Sequence, residues 1–560
     1  MPRRRALTGA QLAGLLALPT TEAELARHWA LGDADLAAVG QRRRDHNRLG
    51  FALQLCVLRY PGRQLRPGEV VPERTLRFVA EKAYLAERRA TLDRRLAEVA
   101  AKAAVDLLED VRIAGDALRI SPLKAATPEE AETLAERLYA AVPAVRITDL
   151  LAEVDHWTGF GAAFTHLHSG LPADDRRVVL TTVLADATNL GLTRMADACA
   201  VATYRQLAWT AGWHLREETY RRALAILVNA QQAQPLAAHF GAADISSSDG
   251  QHFPTGGPGE AVGAVNTHYG RDATTLFYTH VTARHAPFHT VAIPPSGEAA
   301  HIIDGLLYHE ADLASAVHHT DGGGLSDHVF ALAHVLGFRF APRIPNLAER
   351  RLYAFGPAST WPALQPFIAG AVDVKLIAAH WDEVLRLVAS VRTGRASASL
   401  MLKRLGAYPR QNGLALALRE IGRIERTLFT LDWLERPALR RQATAELNKG
   451  EARNALARAV CFHRLGRLRD RTAELQQHRA SGLALTAAIA LWNTIYLSRA
   501  VEAARRRGEA VPNALLAHLA PLGWQHVNLT GDYLWGTAAD LGPDGFRPLR
   551  GDRRAIADAA

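Results

Sequence analysis

The strongest constraint on the fold is a block of strand-type sequence, residues 236–350, set inside a chain that otherwise patterns as helix. Residues 73–235 are rich in Ala, Leu, Glu and Arg, and DDRRVVLTTVLADATNLGLTRMADACAVA carries apolar residues at helical spacing. At about residue 236 the texture changes. FGAADISSSDG alternates, with Ala243, Ile245, Ser247 and Asp249 on one face. AVGAVNTHYGRDATTLFYTHVT predicts two strands about a Tyr269-Gly270-Arg271-Asp272 turn, β-branched and aromatic on both sides. GEAAHIIDGLLYHEADL returns to helical period, and SAVHHTDGGG predicts a short strand ending on Asp321 and three glycines. LSDHVFALAHVLG predicts a helix with Ser326 at its N-cap, and FRFAPRIP a fifth strand. Three strands, helix, strand, helix and strand, followed by helical sequence over 351–440, predict an α/β core with a helical insertion, combined with all-α regions before it.

A chain of 560 residues exceeds one core. Residues 1–72 predict a module of short helices, with Thr21 as an N-cap ahead of Glu22 and Glu24 and an arginine cluster at Arg42, Arg43, Arg44 and Arg48. RYPGRQLRPGEVVP, residues 59–72, is the first boundary. The remaining expected divisions are a helical region 73–235, the first part of the core 236–350, a helical insertion 351–440, and a C-terminal helical region 441–560. That last region contains ATAELNKGEARNALARAVCFHRLGRLRD, an amphipathic helix expected after an interruption at Gly450.

Charge narrows the partners. The formal charge is +9, and it is concentrated: residues 403–479 hold 17 Lys and Arg against 8 Asp and Glu, and residues 1–66 hold 11 Arg against 5 acids. Two basic patches suit a polyanion or two solvated helix faces. Cys56, Cys199 and Cys461 lie far apart, which argues against a disulfide framework or a zinc knuckle and fits a reducing cytoplasm. The N-terminal arginines have no apolar stretch behind them, so a secretory signal is not expected. GLALTAAIALWNTIYL, residues 482–497, is short for a membrane span and reads as a buried helix.

Two expected strands end on a carboxylate followed by glycine, Asp249-Gly250 and Asp321-Gly322. Taken singly, such a pair is usually a turn. On neighbouring strands, both carboxylates would project from one sheet edge and repel unless a cation neutralised them. Hard oxygen ligands favour magnesium or manganese over zinc. Glu451 is the candidate third acid, sharing its helix face with Asn454 and Arg458, and three acids could hold a two-metal site. Asp327 and Glu446 are the nearest rivals, read as capping or surface acids.

SSSDGQHF, HHTDGGGLSDHVFALAHVLGF and ELNKGEARNALARAV resemble the three catalytic blocks of the Tn-three-type transposases, the family that moves replicative transposons. ISPLKAATPEEAETLAERLYAAVPAVRITDLLAEVDHWTGF and TNLGLTRMADA resemble upstream segments of that family, so the match runs from about residue 120 to 550, and residues 1–72 resemble its DNA-binding start. The resemblance implies an RNase H-like fold with a DDE triad of Asp249, Asp321 and Glu451 and two Mg2+ or Mn2+ ions. It implies cutting of one strand at each transposon end and attack of the freed 3′-hydroxyl on target DNA. Terminal inverted repeats and target DNA are then the partners, with a homodimer on DNA. Family members are longer between the counterparts of residues 72 and 120, which implies an internal deletion in the end-recognition region and, as an alternative, a DNA-binding remnant that cannot transpose.

Among basic residues, Lys449, Arg453 and Arg458 flank Glu451 and, with Asn454, are candidates for DNA contact. Arg42, Arg43 and Arg44 are candidates in the first module. A zinc hydrolase is disfavoured because YHEADL places Leu313 where HExxH needs its second histidine. His252, His318 and His319 are expected to orient carboxylates or touch DNA. No GxxxxGK[ST] occurs, and GGPGEAVG fails as a dinucleotide fingerprint at Val262.

Overall fold

The computed structural model describes residues 16–551 apart from 20, 43–44, 66–67, 115, 122–126, 258, 264–272, 296, 348–350, 408–411 and 537–540. The chain forms two compact units, one from residues 1–121, 346–390 and 404–437, the other from 122–345, 391–403 and 438–560.

In the first unit, helices Glu22–His28, Asp33–Gly40, Asp45–Arg59 and Glu73–Ala104 close on Leu25, Trp29, Val39, Cys56 and Val79. Thr21 and Glu24 form the expected capping box. The long helix Glu73–Ala104 lies along Gly413–Glu435, where Arg95 bridges Asp432 at 2.9 Å and Glu435 at 2.5 Å. Two expectations of unbroken helix fail in this unit. Val111–Ala114 pairs with Ala117–Ile120 as a hairpin, and Leu352–Ala354 pairs with Ile368–Ala371 as a parallel ladder. Both are short, with Gly or Pro close by, so helical period cannot develop there.

The second unit is built on a five-stranded sheet. Its strands are β1 (Ile245–Pro254), β2 (Thr274–Thr282), β3 (Pro287–Ile293), β4 (Val317–Thr320) and β5 (Arg339–Phe340). Spatial order is β3-β2-β1-β4-β5, antiparallel from β3 to β1 and parallel from β1 through β4 to β5. The helices used below are α1 (Glu217–Gln232), α2 (Glu298–Leu307), α3 (Asp327–Leu336), α4 (Pro437–Val460), α5 (Ala473–Ala484) and α6 (Ala487–Arg506).

The expected alternation of strands and helices is present, with one correction. The third strand is Pro287–Ile293, which the sequence reading passed over, while residues 261–263 are turn and coil. The turn assigned to Tyr269–Asp272 lies outside the described residues. Ser326 is the N-cap of α3, without a side-chain cap bond. The span Ala473–Arg506 is long and apolar enough to cross a membrane, yet 94% of its apolar window is buried inside the protein. Its polar residues have internal partners: Asn493 donates to the carbonyls of Pro521 and Gly523, at 3.0 and 2.8 Å. The stretch 482–497 is therefore core, as its Thr and Asn residues suggested.

Candidate active site

The three serines before Asp249 serve two faces of β1. Ser246 and Ser248 point to one side, where Ser246 Oγ meets His318 Nδ1 and Ser248 Oγ meets His318 Nε2, each at 2.8 Å. The Tyr278 hydroxyl joins Ser248 at 2.7 Å. Burial pushes the His318 imidazole down to about 3, so it serves this network as a neutral ring. On the same side the His280 ring fills the space left by Gly305 of α2, where an added Cβ would lie 2.1 Å from the ring. His280 Nε2 lies 3.0 Å from the Ile302 carbonyl.

Ser247, Asp249 and Gln251 point the other way, onto α4. Ser247 Oγ donates to the Glu446 carbonyl at 3.0 Å, and Gln251 Nε2 donates to the Asn454 carbonyl at 2.8 Å. A Cβ on Gly450 would stand 3.4 Å from Asp249 Cβ. Positions 446, 450 and 454 thus track 247, 249 and 251, because four helical residues rise about 6 Å and two strand residues about 6.6 Å. Gly450 is where helix and strand approach most closely. The helix runs through it unbroken, which corrects the expected interruption.

Asp249 lies inside β1 rather than at its end. It pairs with Thr279 on β2, while β4 stops at Thr320, opposite Ser248. Asp249 and Asp321 are therefore the next residues on two neighbouring parallel strands, and alternation puts them on one face. Asp321 Oδ1 accepts from the Gly323 N–H at 3.1 Å. Glu451 follows Gly450 on α4 and is exposed. Burial raises the Asp249 carboxyl to about 6; the charges of Asp321 and Glu451 add to the rise, against the Gly250 N–H and Arg453.

A fourth acid joins them. Glu298, first residue of α2, is lifted to about 7 by burial and then by the charges of Asp321 and Asp249. A Cβ on Gly323 would lie 3.3 Å from Asp321 Oδ1 and 3.7 Å from Glu298 Oε2. Among the described residues none of these four acids is ion-paired, and no three His, Cys, Asp or Glu side chains converge to metal-ligand spacing. The acids share a field rather than a preformed cage.

Residues 149–533 match the family described as Tn3 transposase DDE domain. The chain belongs to the Tn3 transposase DDE family. Residues 6–138 match a second family, described as a domain of unknown function (DUF4158). The transposase for transposon Tn21 of Escherichia coli is 54% identical over 83% of this chain and 48% of that protein. The transposase for Tn501 of Pseudomonas aeruginosa is 52% identical, with the same shares. The transposase for Tn1546 of Enterococcus faecium is 39% identical over 83% of this chain and 47% of that protein. The chain spans about half the length of these relatives.

In this Tn3-family chain the basic residues expected at DNA separate into two groups. Lys449 Nζ donates to the Phe240 carbonyl and the Ala283 carbonyl, both at 2.9 Å, and to Glu446 at 2.7 Å, so all three protons are used internally. Arg453 is 1% exposed, and burial lowers its guanidinium to about 10, against the pull of Asp249. Asn454 is buried and donates to Asp249 Oδ2 at 2.8 Å. These three are internal braces in this structure, not surface contacts. Glu446 is likewise buried, a correction to its reading as a surface acid. Arg458 and Arg42 are exposed, Arg42 with its guanidinium 4.1 Å from the Phe51 ring centroid. Arg43 and Arg44 lie outside the described residues. His319 is buried with Nδ1 2.9 Å from the Ala341 carbonyl, and His252 Nδ1 is 3.2 Å from Thr274 Oγ1. The sequence reading missed Glu298 because an acid at the first position of a helix has an ordinary explanation in the helix dipole.

Proposed function

We propose that this chain is a metal-dependent DDE transposase acting by phosphoryl transfer on DNA: strand cleavage at transposon ends, then 3′-hydroxyl strand transfer to target DNA. The observation that carries this is the placement of Asp249 and Asp321 at successive positions past the paired ends of two parallel strands, with the Glu451 charge felt at Asp249. The β3-β2-β1-β4-β5 order, with α2 and α3 as the crossovers, supports an RNase H-like core, and residues 346–437 are the helical insertion before Glu451.

A divalent ion fits this donor set. Raised, unpaired carboxylates are hard oxygen donors whose charged forms a cation would stabilise. Asp249, Asp321 and Glu451 are the residues that would hold Mg2+ or Mn2+, as two ions. Such ions supply Lewis acidity at the scissile phosphate. The chain's own residues set the geometry: Asn454 orients Asp249, the Gly323 N–H orients Asp321, and α4 carries Glu451 alongside β1. The partners are terminal inverted repeats and target DNA, bound by a homodimer in the cytoplasm. Arg42 and Arg458 are phosphate contacts on exposed surface.

The test is Mg2+-dependent cleavage and joining on intact and pre-cut transposon ends, with Asp249→Ala as control. Cleavage that survives in the variant removes the assignment. A second reading is favoured by the chain spanning half its relatives' length: a DNA-binding remnant that occupies ends without transposing. It predicts salt-sensitive binding with no joining by the unaltered chain.

A further inference from the structure

Directly after α4 the backbone does something costly. Arg464 and Leu465 both lie in the left-handed region, with φ of 58° and 54°, and Gly466 continues it at 72°. Glycine tolerates that conformation, but arginine and leucine do not adopt it without cause. Strain of this kind persists only where surrounding structure over-determines it. Here the clamp is visible. Buried Asn189 donates from one amide nitrogen to the His463 carbonyl at 3.1 Å and to the Arg467 carbonyl at 3.0 Å, gripping both sides of the tip. The Leu468 N–H donates to the Pro254 carbonyl and the Gly256 N–H donates to the Leu468 carbonyl, each at 2.8 Å, fixing the loop to the end of β1.

What the strain achieves is exposure. Leu465 is 95% exposed, with no packing partner for its apolar side chain. Around it the charge has one sign. The loop's acid, Asp470, is taken by Arg479 at 2.9 Å. Arg194, Arg464 and Arg469 have no ion-pair partner among the described residues, and the charges of Arg469, Arg479 and Arg194 add to burial in lowering the Arg464 guanidinium. Like charges gathered without counter-charge are stable only where solvent or a polyanion screens them.

Resting on the transposase reading above, we propose that the Arg464–Leu465 tip is a DNA wedge. Leu465 inserts at a base step of the duplex lying along the end of β1, and Arg194, Arg464 and Arg469 hold the flanking phosphates. Apolar wedges inserted between base steps unstack and kink DNA, and phosphate contacts set the register in which they do so. The wedge sits after the helix bearing Glu451 and beside the end of the strand bearing Asp249, so unstacking would occur next to the acids. A scissile step freed from its stack is easier to bring into line for displacement.

The test uses the full chain and a nicked duplex carrying 2-aminopurine at successive positions around the nick. The unaltered protein raises 2-aminopurine fluorescence at one step when bound. Leu465→Gly, which keeps the left-handed backbone at lower cost, abolishes that rise while the dissociation constant changes by less than about threefold and Tm is unchanged or higher. The pair Arg464→Gln and Arg469→Gln lowers the salt slope of binding by about 0.9 per arginine removed. A fluorescence rise that persists in Leu465→Gly, or no rise in DNA that is bound, overturns the wedge. If that same unaltered protein cuts DNA in Mg2+ and Asp249→Asn does not, the transposase reading stands while the wedge falls. Absence of any DNA binding overturns both.

Discussion

The side-chain amide of Asn454 donates to the Asp249 carboxylate at 2.8 Å while its own main-chain carbonyl accepts from Gln251 at the same distance. One helical residue thereby fixes two successive positions on one strand face. Removing the amide in Asn454→Ala leaves Asp249 free to rotate on the Gly250 N–H alone. Cleavage by the full chain is expected to fall about 10–100-fold, with weaker apparent Mg2+ affinity. A Mg2+ titration of the cleavage rate, read beside unchanged circular dichroism, checks this. Unchanged Mg2+ dependence would separate Asn454 from the acids.

Gly450 lies where α4 crosses closest to Asp249. An alanine Cβ would meet Asp249 Cβ at 3.4 Å, an ordinary contact, and alanine is favoured over glycine in a helix by about 1 kcal/mol. Gly450→Ala is expected to raise Tm slightly and keep activity. Gly450→Val adds two methyl groups against Asp249 and is expected to lose most cleavage while remaining folded. Equal activity in the two variants would show that the approach is not tight.

Asp249 and Glu298 make metal-free stability fall with rising pH. Asp249 is raised from 3.8 to about 6 and Glu298 from 4.5 to about 7. The folded chain therefore holds protons that the unfolded chain releases, so stability is fully present below pH about 4 and is lost as pH rises toward 7. In EDTA, Tm of Asp249→Asn minus Tm of the unaltered chain should grow from near zero at pH 4 to a few degrees at pH 7. Mg2+ should shrink that difference. A difference independent of pH would contradict the shifts.

Gly305→Ala places a Cβ 2.1 Å from the His280 ring. The ring is confined by the Ile302 carbonyl on Nε2 and by the stacked His318 ring, 5.2 Å away centroid to centroid. Overpacking of about 1–3 kcal/mol is expected in chemical denaturation. Gly305→Ala with His280→Ala should recover part of it, since the second change removes the obstruction.

Legibility followed the length of the chemical signal. The alternation around Ile245–Asp249 and the helical period of 437–460 span enough residues to declare themselves, and they led to three of the acids. β3 was passed over because PFHTVAI mixes proline, histidine and threonine with its apolar residues, so its alternation is weak. Arg453 was misplaced because charge suggests surface, and only the close packing of α4 on β1 shows that its guanidinium is enclosed. Glu298 is invisible from sequence for a different reason. Its neighbourhood with Asp321 comes from α2 meeting the glycine turn after β4, a contact between segments that no local pattern encodes.

Each compact unit is stitched from three separated runs of chain. During synthesis Asp249 and Asp321 emerge together, and Glu451 follows only after the segment 346–437 has been made, a delay of roughly ten seconds at ordinary ribosome speed. Through that interval the face of β1 bearing Ser247, Asp249 and Gln251 has no helix to cover it. A nascent or prematurely released product thus carries two of the acids and lacks the third, which disarms the chain until translation has passed α4.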